Sequence, residues 1–353
     1  MTVILYQTRS ARVTVQPPDG PGIEVENLVG NDGLRITFDV RRALDTGPDE
    51  GTATIYNLGP DQLGLIEGQR GDPGGLLDLA TYGDGTSFNQ PRPPGPDSAL
   101  ADNMSTVTVE AGYNEQVSTI FESVLAEVRS VKPDNITTQT TIKGTDNLDG
   151  ALFNASSRVF ADGSLLFSVV DELRTIAGLG QGNFTLQTWA ALVGNATISG
   201  TYAITGDCYT QLDEVFEYLR STDNLANVRW FQDAGDFYVY RDDQFVTDGA
   251  GGEAPLELPP LKKRPARESS GYIAVTSFLA PQVRPGRLVV LDPSGLSPAQ
   301  LGDAPILPDV LRSDIPPGLY RCDEVRHTGD TNPGGRYTTV LKLWPTSFGG
   351  LNG

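Results

Sequence analysis

Apolar and polar residues alternate along the first third of the chain. Gly33-Leu34-Arg35-Ile36-Thr37-Phe38-Asp39-Val40 has the period of two expected of a half-buried strand. Gly51-Thr52-Ala53-Thr54-Ile55-Tyr56-Asn57-Leu58 repeats it after the turn signal Gly47-Pro48-Asp49, predicting an antiparallel pair. Gly59-Pro60-Asp61 then opens a short helix over 62–66. Periodicity returns at Thr106-Val107-Thr108-Val109-Glu110-Ala111-Gly112-Tyr113, and Val117 to Val128 supplies one or two further strands. Between them, residues 68–103 hold Gly71-Asp72-Pro73-Gly74-Gly75 and Pro91-Arg92-Pro93-Pro94-Gly95-Pro96, a long surface loop, since proline fixes φ and lacks a ladder donor.

The period then changes to that of a helix. Phe167, Val170, Leu173, Arg174 and Ala177 predict a helix near 164–177 that stops at Gly178. Leu212, Val215, Phe216 and Leu219 predict a second near 210–220, with Thr210 as its cap and Asp213 three residues on. Val228–Gln232 and Phe237–Arg241 flank Asp233-Ala234-Gly235-Asp236, a hairpin signature with aromatic cross-strand pairs. Past a Gly/Pro/Glu-rich connector over 248–260, short strands resume at Ile273–Leu279, Arg287–Leu291, Gly318–Cys322 and Tyr337–Leu343. The chain therefore reads as mainly β with a smaller α+β part. The expected units are a β-barrel over 1–150, an α+β module over 151–260 and a second β-barrel over 261–353.

Composition agrees. With 353 residues two to three domains are expected, and 40 glycines with 25 prolines favour short strands and turns. The formal charge of −19 repels phosphates and argues against a general nucleic-acid-binding surface. No apolar run reaches the ~20 residues that span a bilayer, and the start lacks a signal peptide's basic lead and apolar length, so synthesis in a cytosol is expected.

Candidate chemistry is sparse. Cys208 and Cys322 are the only cysteines, which excludes a disulfide scaffold and a cysteine-rich zinc site. His327 is the one histidine, so an imidazole metal pair is impossible; it reads as a turn residue bonded to backbone at a strand end. No Gly-X-Ser-X-Gly elbow is present, Lys143 has no Walker glycines before it, and Gly178-Leu179-Gly180-Gln181-Gly182 reads as a helix-terminating loop. Asp146, Asp149 and Asp162 are the acids that a calcium site or a glycosidase would use, but they lack the spacing of an ion loop and read as solvated turn residues. Lys262-Lys263-Arg264 reads as an exposed linker or a contact to an acidic neighbour. Tyr238 and Tyr240 could stack a sugar, although strand aromatics ordinarily divide between core and cross-strand pairs. No catalytic, cofactor or metal site is predicted.

Taken in order, several segments resemble the baseplate hub proteins of tailed bacteriophages. They are Phe38 with Ile55-Tyr56-Asn57-Leu58, then Val109-Glu110-Ala111-Gly112-Tyr113 with Ile120-Phe121, then Phe278-Leu279-Ala280-Pro281 with Arg284-Pro285-Gly286-Arg287-Leu288-Val289. Gly318-Leu319-Tyr320-Arg321-Cys322, Val325-Arg326-His327-Thr328-Gly329-Asp330 and Tyr337-Thr338-Thr339 resemble that family's closing hairpin. The departure is residues 68–103, where the family pattern would pass almost directly to the Gly112-Tyr113 strand.

The resemblance implies a non-enzymatic virion protein of the tail baseplate, a homotrimer whose chains each supply two tube-type barrels. The resulting pseudo-sixfold ring would join a six-fold tail tube or distal tail protein to a three-fold spike or fibre. The tape measure protein is a further partner, and DNA would pass through without specific binding. No cofactor and no membrane insertion are implied. A tail-associated glycan-binding or glycan-degrading protein, using Asp146 and Asp162, is the alternative.

Overall fold

The computed structural model describes residues 8–17, 21–28, 33–45, 47, 49–68, 105–145, 158–205, 208–221, 225, 227–242, 254–292 and 315–345. The loop expected over 68–103 and the candidates Asp146 and Asp149 fall outside them, apart from Gly68. The N-terminal strands are β1 (Arg9–Gln16), β2 (Ile23–Asn27), β3 (Ile36–Ala43), β4 (Glu50–Tyr56), β5 (Thr106–Tyr113), β6 (Gln116–Val131) and β7 (Gln139–Thr145), with helix α1 (Pro60–Gly68) after β4. The middle holds β8 (Arg158–Phe160), α2 (Leu166–Ile176), α3 (Leu186–Leu192), β9 (Tyr202–Ile204), α4 (Cys208–Arg220) and the hairpin β10 (Val228–Asp233) and β11 (Asp236–Arg241). The C-terminal strands are β12 (Leu256–Glu257), β13 (Ala266–Arg267), β14 (Ile273–Phe278), β15 (Leu288–Leu291), β16 (Gly318–Asp330) and β17 (Tyr337–Pro345).

Both ends of the chain enter one sheet, in the order β13-β14-β17-β16-β3-β4-β7-β6-β5-β1-β2. Alternation dictates its two faces. Ile36, Phe38, Val40, Ala53, Ile55, Ile142, Val275, Val325 and Leu341 are buried, while the residues between them are more open to solvent. The buried face covers one core around Ile36, Phe121 and Ile142 and another around Val275, Val289 and Leu341. Tyr337 ties the two ends together. Its hydroxyl donates to Ser10 O (2.6 Å) and accepts from Gly112 N (3.2 Å), and its ring packs edge-on against Phe38 and Tyr113.

Two strands are longer than their periodicity predicts, because each contains a β-bulge, and an extra residue reverses the inside-outside alternation. In β6 the register against β7 shifts between Leu125 and Glu127; in β16 the register against β17 shifts between Cys322 and Glu324. Around these bulges the same unit is built twice. Glu127, Val128, Arg129 and Ser130 face Lys143, Ile142, Thr141 and Thr140; Glu324, Val325, Arg326 and His327 face Lys342, Leu341, Val340 and Thr339. Outside these hairpins, Thr52 and Ala53 of β4 pair with Lys143 and Ile142, as Ala274 and Val275 of β14 pair with Lys342 and Leu341. β3 then lies outside β4 as β13 lies outside β14. The eight strands are therefore a tandem repeat, β13-β14-β17-β16 followed by β3-β4-β7-β6, with β16 and β3 as the internal seam.

The α+β module has its own core of Trp189, Phe184, Phe216, Trp230 and Phe237. α2 buries Leu166, Val169, Val170 and Leu173 and ends as expected: Gly178 (φ 73°) and Leu179 bond back to Thr175 O and Arg174 O. α4 begins at Cys208, which corrects the assignment of Thr210 as its cap. Gln211 instead ties back to Thr205, its amide bonding Thr205 N and O, and Thr210 sits in the first turn of the helix. The short helix α3, capped by Thr185, was not evident from periodicity.

His327 is also corrected. It is fully buried in the middle of β16, opposite Val40 and Thr339, and its Nδ1 lies 3.0 Å from Thr339 Oγ1. The Thr328-Gly329-Asp330 run that mimics a turn is strand; Gly329 is required because a Cβ there would lie 2.1 Å from the Phe38 ring.

Candidate functional site: the buried joint between module and sheet

The β10–β11 hairpin uses both faces. Trp230, Phe237 and Val239 enter the helical core, whereas Phe231, Asp233, Tyr238 and Tyr240 occupy the other face. A two-residue turn, Ala234 (φ 51°) and Gly235 (φ 80°), joins the strands; positive φ at both positions matches the right-handed twist. The Gly178–Gly182 loop clasps this turn: Gly180 N donates to Gly235 O (2.8 Å) and Phe237 N to Gly180 O (3.1 Å). A side chain at Gly182 would break the clasp, and one at Gly180 would displace Asp236. A Cβ on Gly182 (φ 50°) would lie 2.2 Å from Phe237 O, and one on Gly180 would lie 1.9 Å from Asp236 Oδ1.

The second face carries the joint. Asp233 receives the Arg42 guanidinium of β3, with Arg42 Nε 2.8 Å from Asp233 Oδ1. Both side chains are nearly inaccessible, at 5% and 8%. Arg42 also donates to Ile120 O (3.2 Å) and lies 3.8 Å from Asp49, which in turn accepts from Ala43 N (3.1 Å). Beside it, Arg321 of β16 forks onto both oxygens of Asp323 at 2.6 and 2.8 Å and donates to Asp242 O (2.9 Å). Its guanidinium lies 5.3 Å from the centre of the Tyr240 ring, and the Tyr240 hydroxyl donates to Leu44 O (3.2 Å). Asp323 is the bulged residue of β16, the position held by Ala126 in β6; the bulge places a carboxylate under Arg321, which reaches the module, in one repeat only.

The electrostatics follow from burial. Desolvation, then the nearby Arg42 charge, pushes His327 down to about 3, so its imidazole is neutral in the folded protein. Burial raises Asp236, helped by Asp233, and holds Tyr238 at about 12. Burial also raises the Cys322 thiol, which leaves it unreactive. Among the described residues the cluster is a buried ionic lock that presents neither an approachable nucleophile nor an open ligand position.

The other candidates disperse. Asp162 is exposed and accepts from Gly200 N (2.7 Å), bracing a turn. Among the described residues no group of three or more His, Cys, Asp or Glu could hold a metal. Tyr240 is buried and Tyr238 stacks on Phe231 (5.1 Å), so the hairpin presents no sugar platform. Lys262 turns inward, donating to Tyr337 O (3.1 Å) and lying 4.6 Å from the Phe278 ring centre, while Lys263 and Arg264 are exposed. Arg42, Asp233 and Arg321 were not singled out by the sequence. The pairing of Arg42 with Asp233 joins positions 191 residues apart, and no local pattern encodes it.

No family profile matches the sequence, and no curated protein matches it. Solved structures do. The fold is similar to the 43 kDa tail protein of prophage MuSo2 from Shewanella oneidensis, with TM-score 0.50 and 11% identity over 95% of this chain and 97% of that one. A tail protein from Neisseria meningitidis MC58 superposes with TM-score 0.46 and 10% identity over 94% and 96% of the two chains. An E. coli component of the type VI secretion system gives TM-score 0.46 and 10% identity over 91% and 77%. The chain thus has the fold of a bacteriophage tail protein, mainly β with a smaller α+β part. Among the described residues no helix is long and apolar enough to cross a membrane.

Proposed function

We propose that the protein is a structural component of a phage tail, a baseplate hub whose three copies form a pseudo-sixfold ring around the path of the DNA. The observation that carries this reading is the tandem repeat: two four-stranded units follow one another in one sheet, joined at the β16–β3 seam. Three chains would present six such units, so one face could meet a six-fold tube while the helical modules keep three-fold spacing for a spike or fibre. In this reading residues 1–150 and 261–353 are the ring units and 151–260 the appended module.

The elements that cover the buried sheet face need room, so a closed ring is expected to carry them outside and its polar face inside. On that face Arg41, Lys143, Arg326 and Lys342 are interspersed with Asp39, Glu50, Glu127 and Glu324. A wall of mixed charge neither holds nor strongly repels a passing polyanion. This fits conduction without specific binding, and the acidic excess then lies elsewhere on the chain.

Electron cryo-microscopy of tails containing the protein tests the proposal. Three copies in a ring at the distal end of the tube are expected; six copies, or a position outside the tail, would overturn it. A peptidoglycan- or capsule-cleavage assay tests the glycan alternative, and the hub reading expects no turnover.

A further inference from the structure

The repeat has two ends, and each is an edge without a strand partner among the described residues. At one end β6 runs on past β5 with only β7 beside it from Glu127 to Val131. At the other, β13 is the last strand of the sheet. The internal seam shows what each edge is shaped to accept. β16 and β6 occupy equivalent places in the two units, and so do β3 and β13. At the seam, Arg326 faces Arg41, His327 faces Val40 and Thr328 faces Asp39.

Resting on the ring reading, we propose that β6 of one copy pairs antiparallel with β13 of the next in the register of this seam. Its pairs are Arg129 with Glu268, Ser130 with Arg267 and Val131 with Ala266. The equivalences are fixed by the ladders: Val40 faces Gly51 as Arg267 faces Ile273, and Gly51 and Ile273 hold equivalent places against Gly144 and Leu343.

Three observations support it. At the seam His327 and Val40 are buried, whereas their equivalents at the two outer edges, Ser130 and Arg267, are half-buried and exposed, as expected where a partner is missing. Glu268 N donates to Tyr272 O (2.8 Å), and antiparallel alternation then turns the backbone groups of Arg267 to the outer edge, where a new strand would bond. Finally, the seam sets two arginines opposite each other and satisfies them with Asp39, Asp45 and Glu324. The proposed junction sets Arg129 opposite Glu268, an attractive pair already complete. This difference would favour joining β6 to β13 of another copy over joining it to a β3 edge, which would set Arg129 opposite Arg41.

Disulfide trapping tests the register. In tails assembled with the full chain carrying Val131→Cys and Ala266→Cys, oxidation is expected to give covalent multimers on non-reducing gels. Directly opposed strand residues bring Cβ atoms to about 4.5–5.5 Å, close enough for a disulfide. The single variants and the out-of-register pair Val131→Cys with Glu268→Cys should stay monomeric on the same gels. Three copies in a ring with no cross-link, or with cross-linking of the out-of-register pair, would overturn this register and leave the ring reading standing. Any other copy number or position would overturn both. Should the cysteine pair fail to assemble, Arg129→Glu must lower the assembled yield at least tenfold and Glu268→Arg must restore it; without rescue the register is wrong.

Discussion

The Arg42–Asp233 lock predicts how firmly the helical module is held. Asp233→Asn keeps the shape of the side chain and removes its charge, leaving a buried guanidinium 3.8 Å from Asp49. Two charges ~3 Å apart attract by about 5 kcal/mol at an effective dielectric near 20. Breaking a buried pair one-sidedly costs roughly 3–5 kcal/mol. Because Asp49 remains, the lower end applies: about 3 kcal/mol, or roughly a hundredfold more frequent release of the module. Hydrogen exchange resolved by mass spectrometry reads this directly, since release exposes β10 and β11. Their amides should exchange about a hundredfold faster in Asp233→Asn, while those of β4 and β7 change little. The double variant Arg42→Met with Asp233→Leu should recover most of the protection, because neither charge is then stranded. Acceleration below fivefold, or equal acceleration in β4 and β7, would show that the pair is not what holds the module to the sheet.

Two further predictions use the same fold. Gly182→Ala should destabilise the module by about 2 kcal/mol or more in urea unfolding, since its Cβ meets Phe237 O at 2.2 Å; Gly178→Ala, with open space around a φ of 73°, should lose only the roughly 1 kcal/mol of the left-handed conformation. His327 makes stability depend on pH. Its folded pKa, about 3, lies below the ordinary value of 6.5, so the unfolded chain binds the extra proton between those limits and stability falls as pH drops from 6.5 toward 3. The slope reaches at most about 1.4 kcal/mol per pH unit. Urea midpoints at pH 7 and 5 should therefore converge in His327→Gln relative to the wild type, and an unchanged pH dependence would place the titrating group elsewhere.

Much of the fold was legible where alternation is uninterrupted. β5 was bounded correctly from Thr106 to Tyr113, and the hairpin was visible from its aromatic flanks and Ala234-Gly235 turn. Both main helices followed from their apolar stripes. The failures share a cause. In β6 and β16 the bulges at Ala126 and Asp323 shift the alternation, so β6 reads as one or two shorter strands over 117–128, β16 reads as a strand and a turn, and His327 was misplaced with it. A signal did exist: Glu-Val-Arg follows both bulges, at Glu127–Arg129 and Glu324–Arg326, and aligning the chain with itself at that spacing would have exposed the repeat. The joint left no such trace. Arg42, Asp233 and Arg321 sit in otherwise ordinary strand contexts, and only the folded topology brings them together.

The seam strand has a mechanical consequence. The first half of β16 hydrogen-bonds β15, its second half bonds β3, and β17 runs along its opposite side. The two ends of the polypeptide are thus spliced rather than hinged, and bending one against the other would require tearing a ladder along its length. A tug at either end is felt at once at the other.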